Sequence, residues 1–127
     1  MNWNKKRIFV VDDDVDILRV FRKILEKEGF AVETAETGKD AIKKIRKAKF
    51  NLCIVDVKLP DIDGTELLLQ IPNDPKIIKI IMTGFSTNEA GKKAADYGAD
   101  DFLVKPVKTE ELIATVREKL STVQEEG

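Results

Sequence analysis

Histidine is absent from all 127 residues, which excludes imidazole general bases, Ser/His/Asp triads and zinc sites of the His-rich kind. There is one cysteine, Cys53, set inside an apolar run. An internal disulfide framework is therefore impossible; a reducing compartment is expected, with Cys53 serving as core packing. Neither sign of charge is in excess: 22 basic residues against 23 acidic ones leave a net charge of −1. No global field draws the chain to nucleic acid or to anionic lipid. The apolar runs are far too short to span a bilayer, and Met1-Asn2-Trp3-Asn4-Lys5 is not followed by the apolar region of a signal peptide. The expectation is a soluble, cytoplasmic protein with no membrane contact and no direct nucleic-acid partner, whose chemistry runs on carboxylates.

What is present suits one globular domain, because 43% hydrophobic content over this length supplies a core of the usual single-domain size. Residues 1–120 are expected to form it, with 121–127 as a polar tail or the start of a linker. Short β-branched runs alternate with longer stretches whose apolar residues recur at helical spacing, the pattern of βα units around a parallel sheet. Five strands are expected at Arg7–Val11, Ala31–Ala35, Leu52–Val55, Ile78–Met82 and Asp101–Val104. The first helix places Ile17, Leu18, Phe21, Ile24 and Leu25 on one face and stops at Gly29. The second, near Lys39–Ala48, turns Ala41, Ile42, Ile45 and Ala48 inward and Lys43, Lys44, Arg46, Lys47 and Lys49 outward as a solvated face. A short third helix over Thr65–Gln70 is halted by Pro72, since proline disfavours helical geometry in the residue before it. An alanine-rich fourth runs from about Thr87 to Tyr97, weakened at Gly91. The fifth, Thr109–Leu120, buries Leu112, Ile113, Val116 and Leu120.

On this scheme the polar residues collect at strand ends. Asp12, Asp13 and Asp14 follow Ile8-Phe9-Val10-Val11, and Asp56 ends Leu52-Cys53-Ile54-Val55. Carboxylates about 4 Å apart repel by roughly 4 kcal/mol at an effective dielectric of about 20, so several aimed at one spot require a cation there. Thr83 and Lys105 end the fourth and fifth strands. Ligands of open parallel sheets in the order 2-1-3-4-5 sit outside the carboxyl ends of the strands, between the first and third. That is a general rule of such sheets and not a consequence of this sequence; under it, all these residues meet in one pocket.

Four motifs in this order and spacing carry a resemblance: Val10-Val11-Asp12-Asp13; Val55-Asp56 followed by Pro60 and Asp63-Gly64; Met82-Thr83-Gly84; and Gly98-Ala99-Asp100-Asp101-Phe102-Leu103-Val104-Lys105-Pro106. From Arg7 to about Leu120 the chain resembles the receiver domain of two-component response regulators. The resemblance implies a flavodoxin-like, doubly wound (βα)5 α/β fold with a parallel five-stranded sheet. It implies a signalling domain and not a conventional enzyme: Asp56 accepts a phosphoryl group from a sensor histidine kinase or a histidine phosphotransfer protein, as a carboxylate nucleophile. Mg²⁺ would be held by Asp13 directly, by Asp12 through water, by Asp56 and by the backbone carbonyl of Lys58. Lys105 would neutralise charge on the transferring group. Pro106 would follow a cis peptide bond, although cis is the minority isomer for prolines in general. Thr83 would bond a phosphoryl oxygen, with Phe102 rotating inward behind it to change the surface of the fourth helix, fifth strand and fifth helix.

Blander roles are open to the same residues: Asp56 as a turn acid, Asp12 and Asp13 as helix caps, Phe102 as an ordinary strand aromatic. Asp14, which matches no family ligand, is expected to cap the first helix. Lys58 and Phe85 stand where receivers vary, and together they imply slow loss of the phosphoryl group. Ile17 and Leu18 would dock the phosphotransfer helix bundle. Asp61-Ile62-Asp63-Gly64-Thr65 carries a rival reading, the D-x-D-G-T of Mg²⁺-dependent haloacid dehalogenase phosphatases, but Lys58-Leu59-Pro60 separates it from the third strand. The cognate kinase, an attached output domain or target protein, and the choice between monomer and homodimer are open at this level.

Overall fold

A computed structural model describes residues 5–84 and 87–123. Five strands alternate with five helices: β1 (Arg7–Val11), α1 (Val15–Lys27), β2 (Ala31–Ala35), α2 (Gly38–Lys47), β3 (Leu52–Asp56), α3 (Gly64–Gln70), β4 (Ile78–Thr83), α4 (Thr87–Asp96), β5 (Asp101–Val104) and α5 (Thr109–Ser121). All pairings between these five strands are parallel and their order is β2-β1-β3-β4-β5. This is the doubly wound arrangement that the alternation implied.

Strand periodicity divides the core into two layers. Ile8, Val10, Leu52, Ile54, Ile80 and Met82 point to the side covered by α1 and α5, where Leu18, Phe21, Leu25, Leu112 and Val116 complete one apolar cluster. Phe9, Val11, Cys53, Val55 and Ile81 point to the other, against Ala41 of α2, Leu67 and Leu68 of α3 and Ala94 of α4. Because both faces are covered, β3 and β4 are buried along their whole length, as sheets sandwiched between helices require.

Helix ends follow local chemistry. Asp14 caps α1, its carboxylate accepting from the amides of Asp16 and Ile17, and Gly29 ends that segment at φ 98°, a left-handed turn that costs glycine little. Ile71, just before Pro72, is extended with ψ 133° and closes α3. β1, β2 and β5 agree with the sequence expectation at both ends, and β3, β4, α2, α3, α4 and α5 differ by one residue at one end or both. The departure at the carboxyl end has a clear reason: Ser121 still belongs to α5 and Val123 packs against the first apolar cluster, so the expected tail begins inside the fold. Residues 124–127 lie outside the described residues.

The open edge at β2 is covered by side chains. Ala31 and Ala35 bond toward β1, through Lys6 O and the Asp12 amide, so the carbonyls of Val32 and Thr34 face outward. Arg22 Nη1 donates to Val32 O at 3.0 Å and Lys44 Nζ to Thr34 O at 2.6 Å. Lys44 was expected to be a solvated face residue; it also pairs with Glu33 and Asp40, and with Arg22 it blocks the acceptors that an added strand would use. Among the described residues, no helix is long and apolar enough to cross a membrane.

Candidate phosphoryl-acceptor and metal site

The carboxyl ends of β1, β3, β4 and β5 bring Asp12, Asp56, Thr83 and Lys105 to one pole of the sheet. Asp12 directly follows β1 and its amide continues the ladder to Ala35 O. Its side chain has no exposed surface. Oδ1 accepts from the Asp14 amide at 2.8 Å. Oδ2 has the Lys105 ammonium at 3.0 Å but no hydrogen bond of acceptable angle. Burial is the main reason the Asp12 pKa rises from 3.8 to about 6; the Asp14 amide and Lys105 oppose the rise, and Asp56 adds to it.

Asp56 ends β3 and is 4% exposed. One oxygen accepts from the Lys58 amide at 3.0 Å and the other from Lys105 Nζ at 2.8 Å. Burial by itself would lower the Lys105 pKa, but its bonds to Asp56 and Asp12 prevail and the net direction is upward. Lys105 follows β5, its amide bonded to Thr83 O at 2.7 Å, and the Lys105–Pro106 peptide is cis, as the resemblance implied. Asp13 is exposed. Ligand oxygens of Asp12, Asp13 and Asp56 all lie within 4.8 Å of one another.

A cavity of about 360 Å³ opens here, lined by Asp13, Asp56, Val57, Lys58, Gly84 and Lys105. Thr83 is fully buried at the end of β4 and is not among these lining residues. Phe102 is half-buried against the second apolar cluster; a Cβ on Gly91 of α4 would stand 3.4 Å from its ring. Phe85 lies outside the described residues, and so does its expected effect on phosphoryl lifetime.

The cation demanded by converging acids is met in part by the protein itself, because Lys105 touches both Asp12 and Asp56. Sequence reasoning assigned Lys105 only to the phosphoryl group. It quoted Gly64 in the second motif but gave it no role. A Cβ there would collide with the carbonyl oxygen of Asp56 and stand 2.8 Å from Val57 Cα, and the Gly64 amide donates to Val57 O at 2.9 Å. The start of α3 thus rests directly on the backbone that carries Asp56. The signal for this in the sequence is its place in the second motif, as a glycine just after a helix cap.

Two expectations are corrected. Asp61, the nucleophile of the phosphatase reading, is exposed in a loop, and its two oxygens accept from the amides of Gly38 and Lys39 at 2.8 and 2.9 Å. These bonds at the start of α2 hold its pKa below the usual value. Asp63 caps α3 by accepting from the Thr65 amide and hydroxyl at 2.9 and 2.6 Å; burial opposes but does not overcome the lowering of its pKa by these bonds and by Lys93. Asp61 thus binds the first amides of α2, Asp63 caps α3, and neither lines the cavity. Leu18 is likewise unavailable for docking, being buried in the core. The apolar residues that α1 exposes are Val15 and Val20.

Comparison with known proteins agrees with this geometry. A family model described as the response regulator receiver domain matches residues 8–117. The transcriptional regulatory protein ResD of Bacillus subtilis is 36% identical over 115 residues, 90% of this chain and 48% of that protein. The transcriptional regulatory protein ZraR of Salmonella typhimurium is 36% identical over 121 residues, 94% of this chain and 27% of that protein. The chain therefore spans about half or less of these curated relatives. Among solved structures, a CheY-like response regulator receiver domain protein from Methanospirillum hungatei gives a TM-score of 0.85 at 41% identity, covering 93% of this chain and 95% of that one. TrrA of Thermotoga maritima, solved in complex with Mg²⁺ and BeF, gives 0.78 at 33% identity, covering 91% of this chain and 99% of that one.

Proposed function

The chain belongs to the response regulator receiver domain family, and from that premise we propose that it takes a phosphoryl group onto Asp56 from a phosphohistidine of a sensor kinase or phosphotransfer protein. A small acyl phosphate is an alternative donor. The observation that carries this reading is the meeting of three carboxylates within 4.8 Å of one another, two of them bridged by the Lys105 ammonium.

That donor set fits Mg²⁺. The ligands are hard oxygens, and Asp12 Oδ2 is buried without an aligned hydrogen bond. Asp12, Asp13, Asp56 and the carbonyl of Lys58 would hold the ion. When bound, it supplies charge neutralisation on the phosphoryl oxygens.

The protein's own groups do the rest. An Asp56 carboxylate oxygen forms a bond to phosphorus while the phosphorus–nitrogen bond of the donor breaks. The electron pair leaves with the imidazole, which takes up a proton. Lys105, already 2.8 Å from Asp56, bonds the incoming phosphoryl oxygens and so positions them for attack. Burial of Asp56 and Asp12 removes water that would screen these charges. The Thr83 hydroxyl turns to the phosphoryl group, and Phe102 follows it and alters the surface formed with α4 and α5. Lys58 lines the same cavity and slows hydrolysis of the acyl phosphate by pairing with its oxygens.

The donor protein docks beside α1. Ile17, Val20 and Phe21 of that helix, with Pro106 and Val107 after β5, line a groove of about 450 Å³ that reaches Lys105. An apolar ridge of a helix bundle fits such a groove. Residues 1–120 act as the receiver, and the output passes through an attached domain or a target protein.

The test is intact-mass measurement after incubation with acetyl phosphate and Mg²⁺. A single phosphate adduct is expected on the parent and none on Asp56→Asn. An adduct of equal yield on both proteins would refute the assignment.

A further inference from the structure

We propose that the cavity at the opposite pole, between the carboxyl ends of α2 and α3, binds a small amphiphilic anion of the class of a medium-chain carboxylate. Its volume of about 780 Å³ lies within the range of roughly 300–1,000 Å³ found for small-molecule sites. Its floor is apolar. Phe50, Cys53 and Ile71 are buried core residues and Ile77 is half-buried beside them. Phe50 is held rigid, stacked on Phe9 at 4.6 Å between centroids, so the floor is preformed.

The rim is cationic. Arg46, Lys47, Lys49 and Lys76 all line the cavity, and among the described residues none of them has a carboxylate partner. Asp74 is the one carboxylate among the lining residues, and it is turned to the Lys76 amide at 2.8 Å. Favourable interaction with the helix dipole explains Arg46 and Lys47, which sit in the last turn of α2. It does not explain Lys49, beyond that helix, or Lys76, in the connection from α3 to β4. A net charge of −1 for the whole chain makes this local surplus a feature of the cavity and not of the surface at large.

An apolar body over the floor gains from burial. A carboxylate at the rim gains from several ammonium groups beside a low-dielectric wall, which focuses their field. A neutral molecule of the same shape gains only the first, and a cation is repelled. The site shares no lining residue with the Asp56 cavity, so its occupancy needs neither Mg²⁺ nor phosphorylation.

The experiment is an amide NMR titration of the full chain with octanoate, 1-octanol, octylammonium and acetate, each below its aggregation concentration. Octanoate is expected to give saturable shifts at residues 46–51 and 71–77, binding about tenfold more tightly than octanol, a difference of about 1.4 kcal/mol. Octylammonium and acetate are expected to give no saturable shift. The exposed pair Arg46→Glu with Lys76→Glu should weaken octanoate binding about tenfold by removing its electrostatic share, and Lys47→Glu with Lys49→Glu repeats that test on separate side chains. Asp56→Asn should bind octanoate as the parent does, which separates this outcome from the fate of the phosphoryl-acceptor assignment. Equal affinity for octanoate and octanol, insensitivity to both charge reversals, shifts confined to the α1 groove, or absence of saturation would each overturn the proposal.

Discussion

Two acidic stretches of this chain look alike as sequence and behave oppositely as structure. Asp61 and Asp63 lie in a five-residue motif that imitates a phosphatase nucleophile. Asp61 is satisfied at both oxygens by the amides of Gly38 and Lys39, and Asp63 by the amide and hydroxyl of Thr65. Asp12, Asp13 and Asp56 come from two strand ends and aim at one another, with Lys105 joining Asp12 to Asp56. Capping lowers the pKa of Asp61 and Asp63, while burial raises that of Asp12 to about 6. An aspartate's role here follows from what its oxygens lack. Caps are complete without a ligand; the converging set is not.

The most damaging way to test this contrast is to disturb the shelf under Asp56. Gly64→Ala puts a Cβ against the Asp56 carbonyl and is expected to cost about 3 kcal/mol or more, as backbone overpacking does. Urea unfolding checks it; a loss under about 1 kcal/mol would show that α3 does not support Asp56.

Mg²⁺ gives the next largest effect. At ten times its dissociation constant a ligand adds about 1.4 kcal/mol, so the melting temperature of the parent should rise. Asp13→Asn should gain clearly less, and an equal gain would remove Asp13 from the ligand set.

The pH dependence is smaller and has a definite sign. Asp12 in the folded protein has a pKa of about 6, above its usual 3.8, so the folded state holds the proton more tightly than the unfolded chain. Its contribution is fully present below about pH 4 and is lost as pH rises through 6. For the metal-free protein this amounts to roughly 1 kcal/mol between pH 5 and 7, from the relation of pKa shift to free energy. Unfolding midpoints at those two values should show that slope in the parent, and Asp12→Asn should lack it. A slope unchanged by the substitution would place the titration elsewhere.

Smallest is Asp63→Ala, which removes one helix cap at a cost of about 1 kcal/mol and should leave the phosphate adduct intact. Loss of the adduct with stability preserved would erase the distinction between the two acidic stretches.

Much of the fold was legible because strand and helix periods are strong in this chain. The bounds of β1, β2 and β5 agree with their β-branched runs, and Asp14 caps α1 as its position suggested. Asp12, Asp13, Asp56 and Lys105 were legible as a group only because strand ends of a parallel sheet share one pole and because their motifs resemble a family. The failures have a common cause in tertiary contact. Asp61 reaches amides 22 and 23 residues away, which no local pattern reports. Lys44 looked like part of a solvated run, yet it bonds the open edge of β2. Leu18 had been given both an inward face and a docking role, and packing left it only the first. Gly64 was legible as part of a motif, but its role showed only when the Asp56 carbonyl stood against it.

The most direct measurement of the central claim is peptide mapping after phosphorylation with acetyl phosphate and reductive trapping with borohydride, which converts an aspartyl phosphate to homoserine. The account predicts homoserine at position 56, with position 61 unchanged. Homoserine at 61 would contradict it.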